Sequence, residues 1–171
     1  MKLIIADTGP LIHLLEAQAL DLLPTIGEIF VTPQVLREWQ NQPVQRRPSI
    51  PEWLNLLTPS ANALRQADSW VESGLLQMGE AESLAVAVEL KPVWFLTDET
   101  AARELARSLG VESHGSLGVV LWIAGQGGLS QAEAASLIDR LEHSSLWLSD
   151  PVRAEVRRLL QELFPNPSTK P

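Results

Sequence analysis

The chain has 171 residues, 45% of them hydrophobic, which suits a single domain with its own core at this length. A formal net charge of −8 excludes a broad basic surface that would hold nucleic acid by phosphate contacts alone. The absence of cysteine excludes disulfides and thiolate ligands, so any metal must be held by oxygen or imidazole, which points to hard cations. The N-terminus lacks the charged and longer apolar regions of a signal peptide, and no apolar run approaches about 18 residues, so a cytoplasmic chain without a membrane span is expected. None of the lysines Lys2, Lys91 and Lys170 follows a glycine-rich loop, and no GxGxxG follows a strand, so neither common nucleotide-binding motif is present.

In chain order, Leu3, Ile4 and Ile5 form a short apolar run of the kind found in a parallel strand covered on both faces. Asp7 falls at its carboxyl end, with Thr8 or Gly9 opening a helix and Pro10 in the first turn. The helical pattern continues through Leu20 to Leu23 until Pro24 and Gly27 break it, and Glu28 to Val31 reads as a second strand. Thr32-Pro33 is an N-cap and first-turn proline for a helix that buries Val35, Leu36 and Trp39. Glu38 lies about 60° round that helix from Val35, flanking the buried stripe.

Pro43, Pro48, Pro51 and Pro59 dissolve any long element between Asn41 and Ser60, leaving a loop that carries Arg46 and Arg47 and a short strand or turn within Ile50 to Leu57. Ala61 to Val71 reads as a helix ended by Ser73-Gly74, and Gly79 introduces a strong helix in EAESLAVAVELK. On it Glu80 and Glu82 point about 200° apart, so both cannot serve one site; Glu80 is the first choice and Glu82 the alternative. Val93 to Thr97 is an apolar strand followed by Asp98, as the first strand is followed by Asp7. A helix over Glu99 to Leu109 carries Arg103 and Arg107 one turn apart, with Gly110 placed to close it.

Val111 to His114 is a short strand, and Ser116 starts an apolar helix through Ala124. Ser130 to Glu133 is a capping box for a helix to about Glu142, Ser144 to Leu148 is expected as an edge strand, and Asp150-Pro151 caps a last helix bearing Arg153, Arg157 and Arg158. Strands alternate with helices and nothing repeats, which implies an α/β fold with one parallel sheet between helix layers.

The carboxyl ends of the strands in such a sheet form the ligand crevice, and Asp7, Glu38, Glu80 and Asp98 each stand at a strand end or near a helix start. Four carboxylates in one cleft repel, and a divalent cation removes the conflict; oxygen ligands select Mg²⁺ or Mn²⁺. Each acid also has a plainer reading: Asp7 and Asp98 as helix caps, Glu38 as a solvated helix residue, and Glu80 as a macrodipole partner. His13, His114 and His143 have no ligand spacing and read as structural. Of the six tryptophans, Trp53 and Trp70 stand where an exposed partner surface is expected.

The blocks MKLIIADTGPLIHL, VTPQVLREW, GEAESLAVAVE and FLTDETAARELARSLGVESHGSLGVVL resemble those of PIN-domain proteins, in the branch of toxin ribonucleases from bacterial toxin–antitoxin pairs. The resemblance spans roughly Met1 to Ala124. It implies a three-layer α/β/α PIN-like fold, a nuclease domain over 1–150, and a C-terminal helix and frayed tail over 151–171 packed on or extending it. It also implies RNA cleavage with Mg²⁺ or Mn²⁺ held by Asp7, Glu38, Glu80 and Asp98. Arg46, Arg47, Arg103 and Arg107 are the candidates for RNA contact. The implied partners are an RNA substrate and an antitoxin protein, with a homodimer as a further option and no membrane. Two departures from the family pattern stand out: Gly9 where a serine or threonine is frequent, and glutamate rather than aspartate in the third block. The competing readings are a PIN-fold binding module that has lost catalysis and a phosphate-accepting receiver-type domain, which would want an adjacent acidic pair after the first strand and a late lysine.

Overall fold

A computed structural model describes residues 2–43 and 49–165. Five parallel strands form one sheet in the order β3-β2-β1-β4-β5, from β1 (Leu3–Ala6), β2 (Glu28–Val31), β3 (Leu54–Leu56), β4 (Trp94–Leu96) and β5 (Ser113–His114). This order departs from the 2-1-3-4-5 order of flavodoxin-like and receiver folds, which removes the receiver reading. The connecting helices are α1 (Thr8–Glu16), α2 (Pro33–Gln40), α3 (Ala61–Glu72), α4 (Met78–Leu90), α5 (Thr100–Ser108), α6 (Ser116–Gly125), α7 (Gln131–Glu142) and α8 (Asp150–Leu163).

Strand periodicity sorts the core into two layers. Ile4, Trp94 and Leu96 face one cluster with Leu14, Trp39, Val120 and Leu141, whereas Ile5 and Phe95 face the other with Leu84, Ala67 and Ala106. Helices α3, α4 and α5 therefore cover one face, and α1, α6 and α7 the other, which gives the three-layer α/β/α architecture. Helix α8 packs on α6 and α7 and adds Val156 and Leu160 to the same cluster as Ile4.

Three local expectations are corrected. Leu20–Thr25 forms a tighter 3₁₀ helix with Pro24 inside it. No strand forms over Ser144 to Leu148: Glu16 Oε2 accepts hydrogen bonds from Ser145 N at 2.6 Å and Ser145 Oγ at 2.7 Å, and Leu146 N donates to Ser144 Oγ, so side chains take the role a ladder would have had. Asp150 lies inside α8, whose N-cap is Ser149.

Candidate metal and nucleic-acid site

Asp7 directly follows β1 and is the N-cap of α1, which opens at Thr8. Its backbone N–H donates to Leu96 O of β4 at 2.9 Å, which pins it between the two central strands. One carboxylate oxygen accepts from Thr8 N at 2.7 Å and the other from Thr97 Oγ1 at 3.3 Å. With only 3% of its surface exposed, burial is the main force pushing its pKa up to about 7; the Thr8 and Thr97 hydrogen bonds oppose this, and the charges of Glu80 and Glu38 add to it.

Glu38 comes from α2, whose N-cap is Thr32 as expected. Its carboxylate accepts from the Thr8 hydroxyl and from Gln34 Nε2 at 3.0 Å. It lies against the first turn of α4 so closely that a Cβ on Gly79 would fall 2.6 Å from Glu38 Oε1, and only glycine leaves the carboxylate that position. Glu80, the next residue, closes the capping box of α4 by accepting from Gln77 N at 3.1 Å. Its pKa is raised first by burial and further by Glu99 and Glu38. Asp7, Glu38, Glu80 and Glu99 thus share one electrostatic neighbourhood.

Glu82 faces elsewhere. Only 5% exposed, it accepts from Gln34 N at 3.1 Å and so satisfies one of the free amides that begin α2. Asp98 is engaged too: Oδ1 accepts from Ser116 N at 2.7 Å, and Oδ2 accepts from Ser116 Oγ at 2.6 Å and meets His13 Nδ1 at 2.7 Å. It caps α6 from another element, in place of Gly115, whose own position has no side chain to offer. A Cβ on Gly115 would lie 2.6 Å from Asp98 Oδ1.

Among the described residues, no group of three or more His, Asp or Glu side chains is gathered as a metal-binding cluster. The capping and hydroxyl contacts explain this, since each carboxylate is turned onto a neighbouring donor. Chemically the set suits a hard divalent cation: its donors are oxygens, its central member is a buried carboxylate under repulsion, and among the described residues no lysine or arginine forms an ion pair with Asp7, Glu38 or Glu80.

The arginine candidates separate. Arg103 is half-buried beside Gly115, Arg107 is exposed a turn further along α5, and Arg46 and Arg47 lie outside the described residues. Trp70 is buried between α3 and α4 and Trp53 packs partly against the core, so neither is the exposed aromatic that was expected; that one is Trp147.

The sequence profile of a family described as PIN domain matches residues 3–162. The chain belongs to the PIN-domain family. No individual curated protein matches it. PIN domains are typically metal-dependent nucleases that commonly use divalent metals, and in this PIN domain Asp7, at the carboxyl end of β1, lies within electrostatic reach of Glu38 on α2 and Glu80 on α4. Residue reading missed the groups that hold them, Thr8, Gln34 and Thr97, with His13 and Ser116 on Asp98, and it missed Glu99, a further acid whose charge acts on Glu80. Thr8 and Thr97 each adjoin a candidate aspartate in the sequence and were available as a signal. Gln34 was also available, one turn before Glu38 on α2, whereas His13 was not, because only the packing of α1 brings it to Asp98.

Proposed function

We propose that this PIN domain is a Mg²⁺- or Mn²⁺-dependent endoribonuclease, the toxin of a toxin–antitoxin pair. The observation that carries the nuclease reading is Asp7: a carboxylate buried at the sheet's carboxyl end, pushed up to about 7 by burial and by Glu80 and Glu38, is relieved by a divalent cation. Asp7, Glu38 and Glu80 would hold that cation, with Asp98 or its neighbour Glu99 as the fourth acid. When bound, the cation supplies charge for phosphate oxygens and lowers the pKa of an attacking water. The protein's own part is orientation. Thr97 holds Asp7 and Thr8 holds Glu38, so those two carboxylates do not drift as phosphate charge approaches.

The toxin role draws on the resemblance of the four sequence blocks to toxin ribonucleases, and it carries an antitoxin as the expected partner. A second reading, a PIN-fold binding module without catalysis, is favoured by one observation: the described acids are not gathered around a common point. One experiment separates the two. Purified protein is incubated with a mixed RNA pool and Mg²⁺ or Mn²⁺, beside a chelator control and Asp7→Asn. Cation-dependent internal cleavage that Asp7→Asn abolishes supports the nuclease; binding without cleavage in any cation supports the module.

A further inference from the structure

A cleft of ≈ 510 Å³ opens beside the acids, running from Asp98 and Glu99 past Arg103 to Trp147 and the first turns of α8. Leu117, Leu121 and Leu146 make part of its wall apolar, and Arg103 contributes the guanidinium. Two observations single out this cleft. Among the described residues the Arg103 side chain makes no hydrogen bond or ion pair, although the residue is half-buried, whereas the α8 arginine side chains are engaged: Arg153 with Leu148 O, Arg157 with Glu142 and Arg158 with Glu155 and Glu162. Trp147 is 83% exposed, the most exposed large hydrophobic side chain among the described residues, yet its segment is held on both sides: before it by Ser145 on Glu16 and Leu146 in the core, and after it by Leu148, which packs partly against the core and accepts from Arg153 Nε.

An indole presented by an anchored segment is a flat apolar surface held ready for a partner, since burying it would remove roughly 150–250 Å² from water. A free guanidinium at half depth is a donor fork without an acceptor, matched to a phosphate. Both lie in one cleft that shares Asp98 and Glu99 with the acid site, so a strand crossing the acids continues into it. The chain's net charge of −8 gives a polyanion no general attraction, so contact must come from such local groups.

We propose that the cleft is a nucleobase subsite, taking one unpaired nucleotide of the RNA strand next to the bond to be cut, with the base against Trp147 and a phosphate on Arg103. The proposal rests on the nuclease reading above. It gives the enzyme a requirement for single-stranded substrate, because a paired base has no free face to offer the indole.

The test uses the full chain carrying Glu38→Gln, with Mg²⁺, and fluorescence anisotropy of labelled ten-nucleotide single-stranded RNAs. Trp147→Ala should bind at least about fivefold more weakly, the low end of what loss of one stacking aromatic costs, while Trp147→Phe keeps most of the affinity. Moving an abasic nucleotide along the RNA should find one position that reproduces the loss and makes Trp147→Ala without further effect. Arg103→Gln should weaken binding to all sequences alike and make the salt dependence shallower. Unchanged RNA affinity in Trp147→Ala, or a loss that no abasic position absorbs, overturns the subsite while leaving the nuclease reading intact. Unchanged affinity together with a shift in oligomeric state on light scattering would assign the indole to contact between copies of the chain. If the parent chain neither binds nor cuts RNA in Mg²⁺ or Mn²⁺, the nuclease reading fails and the subsite with it.

Discussion

At the scale of single residues, Asp7 makes the pH dependence of this protein a diagnostic. Its pKa is about 7 when folded and 3.8 in the reference state, so between those values the folded chain binds the extra proton. Stability contributed by this group is therefore greatest at the acid end of that window and falls as pH rises toward about 7, by an amount on the order of 4 kcal/mol. Raised Glu80 acts in the same direction. Metal-free protein should accordingly melt at a lower temperature at pH 8 than at pH 5.5, and Asp7→Asn should flatten that difference, as differential scanning calorimetry can record. A wild-type profile parallel to that of Asp7→Asn would remove Asp7 as the strained group. Gly79→Ala tests the approach of Glu38. The colliding atoms are the far end of a flexible side chain, so stability should change by less than about 1 kcal/mol while Glu38 is displaced from Thr8 and cleavage falls sharply.

At the scale of elements, the two competing pairs of acids are separated by what each does for a helix end. Asp98 joins α1, β4 and α6 through His13 and Ser116, so Asp98→Ala leaves the Ser116 amide without its acceptor and should cost about 1–3 kcal/mol even without metal. Glu99→Gln should leave urea unfolding unchanged but weaken Mn²⁺ binding measured by calorimetry. The reverse pattern would make Asp98 rather than Glu99 the fourth acid. On α4, Glu80→Gln should reduce cleavage more than Glu82→Gln, whose amide oxygen can still accept from Gln34 N. A larger loss from Glu82→Gln would make Glu82 the third acid. The helical spacing alone separated the directions of Glu80 and Glu82 and could not say which direction faced Asp7. That depends on how α4 packs against α2, a contact between elements 48 residues apart at Gln34 and Glu82.

At the scale of the molecule, the sequence made most of the sheet legible, because buried parallel strands are continuous apolar runs: LIIA, EIFV and WFL all lie where their composition puts them. Short edge segments were harder. Ser144 to Leu148 has the hydrophobicity of a strand, but Glu16 and Ser144 satisfy its amides, and no pattern within the segment announces a partner in α1. For the same reason Trp147 passed unnoticed as a surface residue, since its exposure follows from where its neighbours are anchored. The acid site was legible as a set of strand-end and helix-start carboxylates; of its supporting groups, Thr8 and Thr97 stand beside the aspartates in the sequence, whereas His13 comes from a helix whose periodicity gives no sign of its partner. Charge makes a further demand on the whole molecule. At −8, RNA must be held by the metal site and few arginines, so two to four phosphate contacts on a single strand predict a plot of log affinity against log salt with a slope of roughly −1.5 to −3. A much steeper slope, measured with Glu38→Gln, would mean a larger basic contact surface than Arg103 and its neighbours provide.

The central claim is that the buried carboxylate of Asp7 and the half-buried Glu38 and Glu80 that repel it form a divalent-cation site, and calorimetric titration of Mn²⁺ into the purified chain at pH 8 addresses it most directly. The account predicts saturable binding that Asp7→Asn and Glu80→Gln each weaken at least about tenfold, which is about 1.4 kcal/mol, with proton release that grows as the pH is lowered toward 7. Equal Mn²⁺ binding by wild type and Asp7→Asn, or none by wild type, would contradict it.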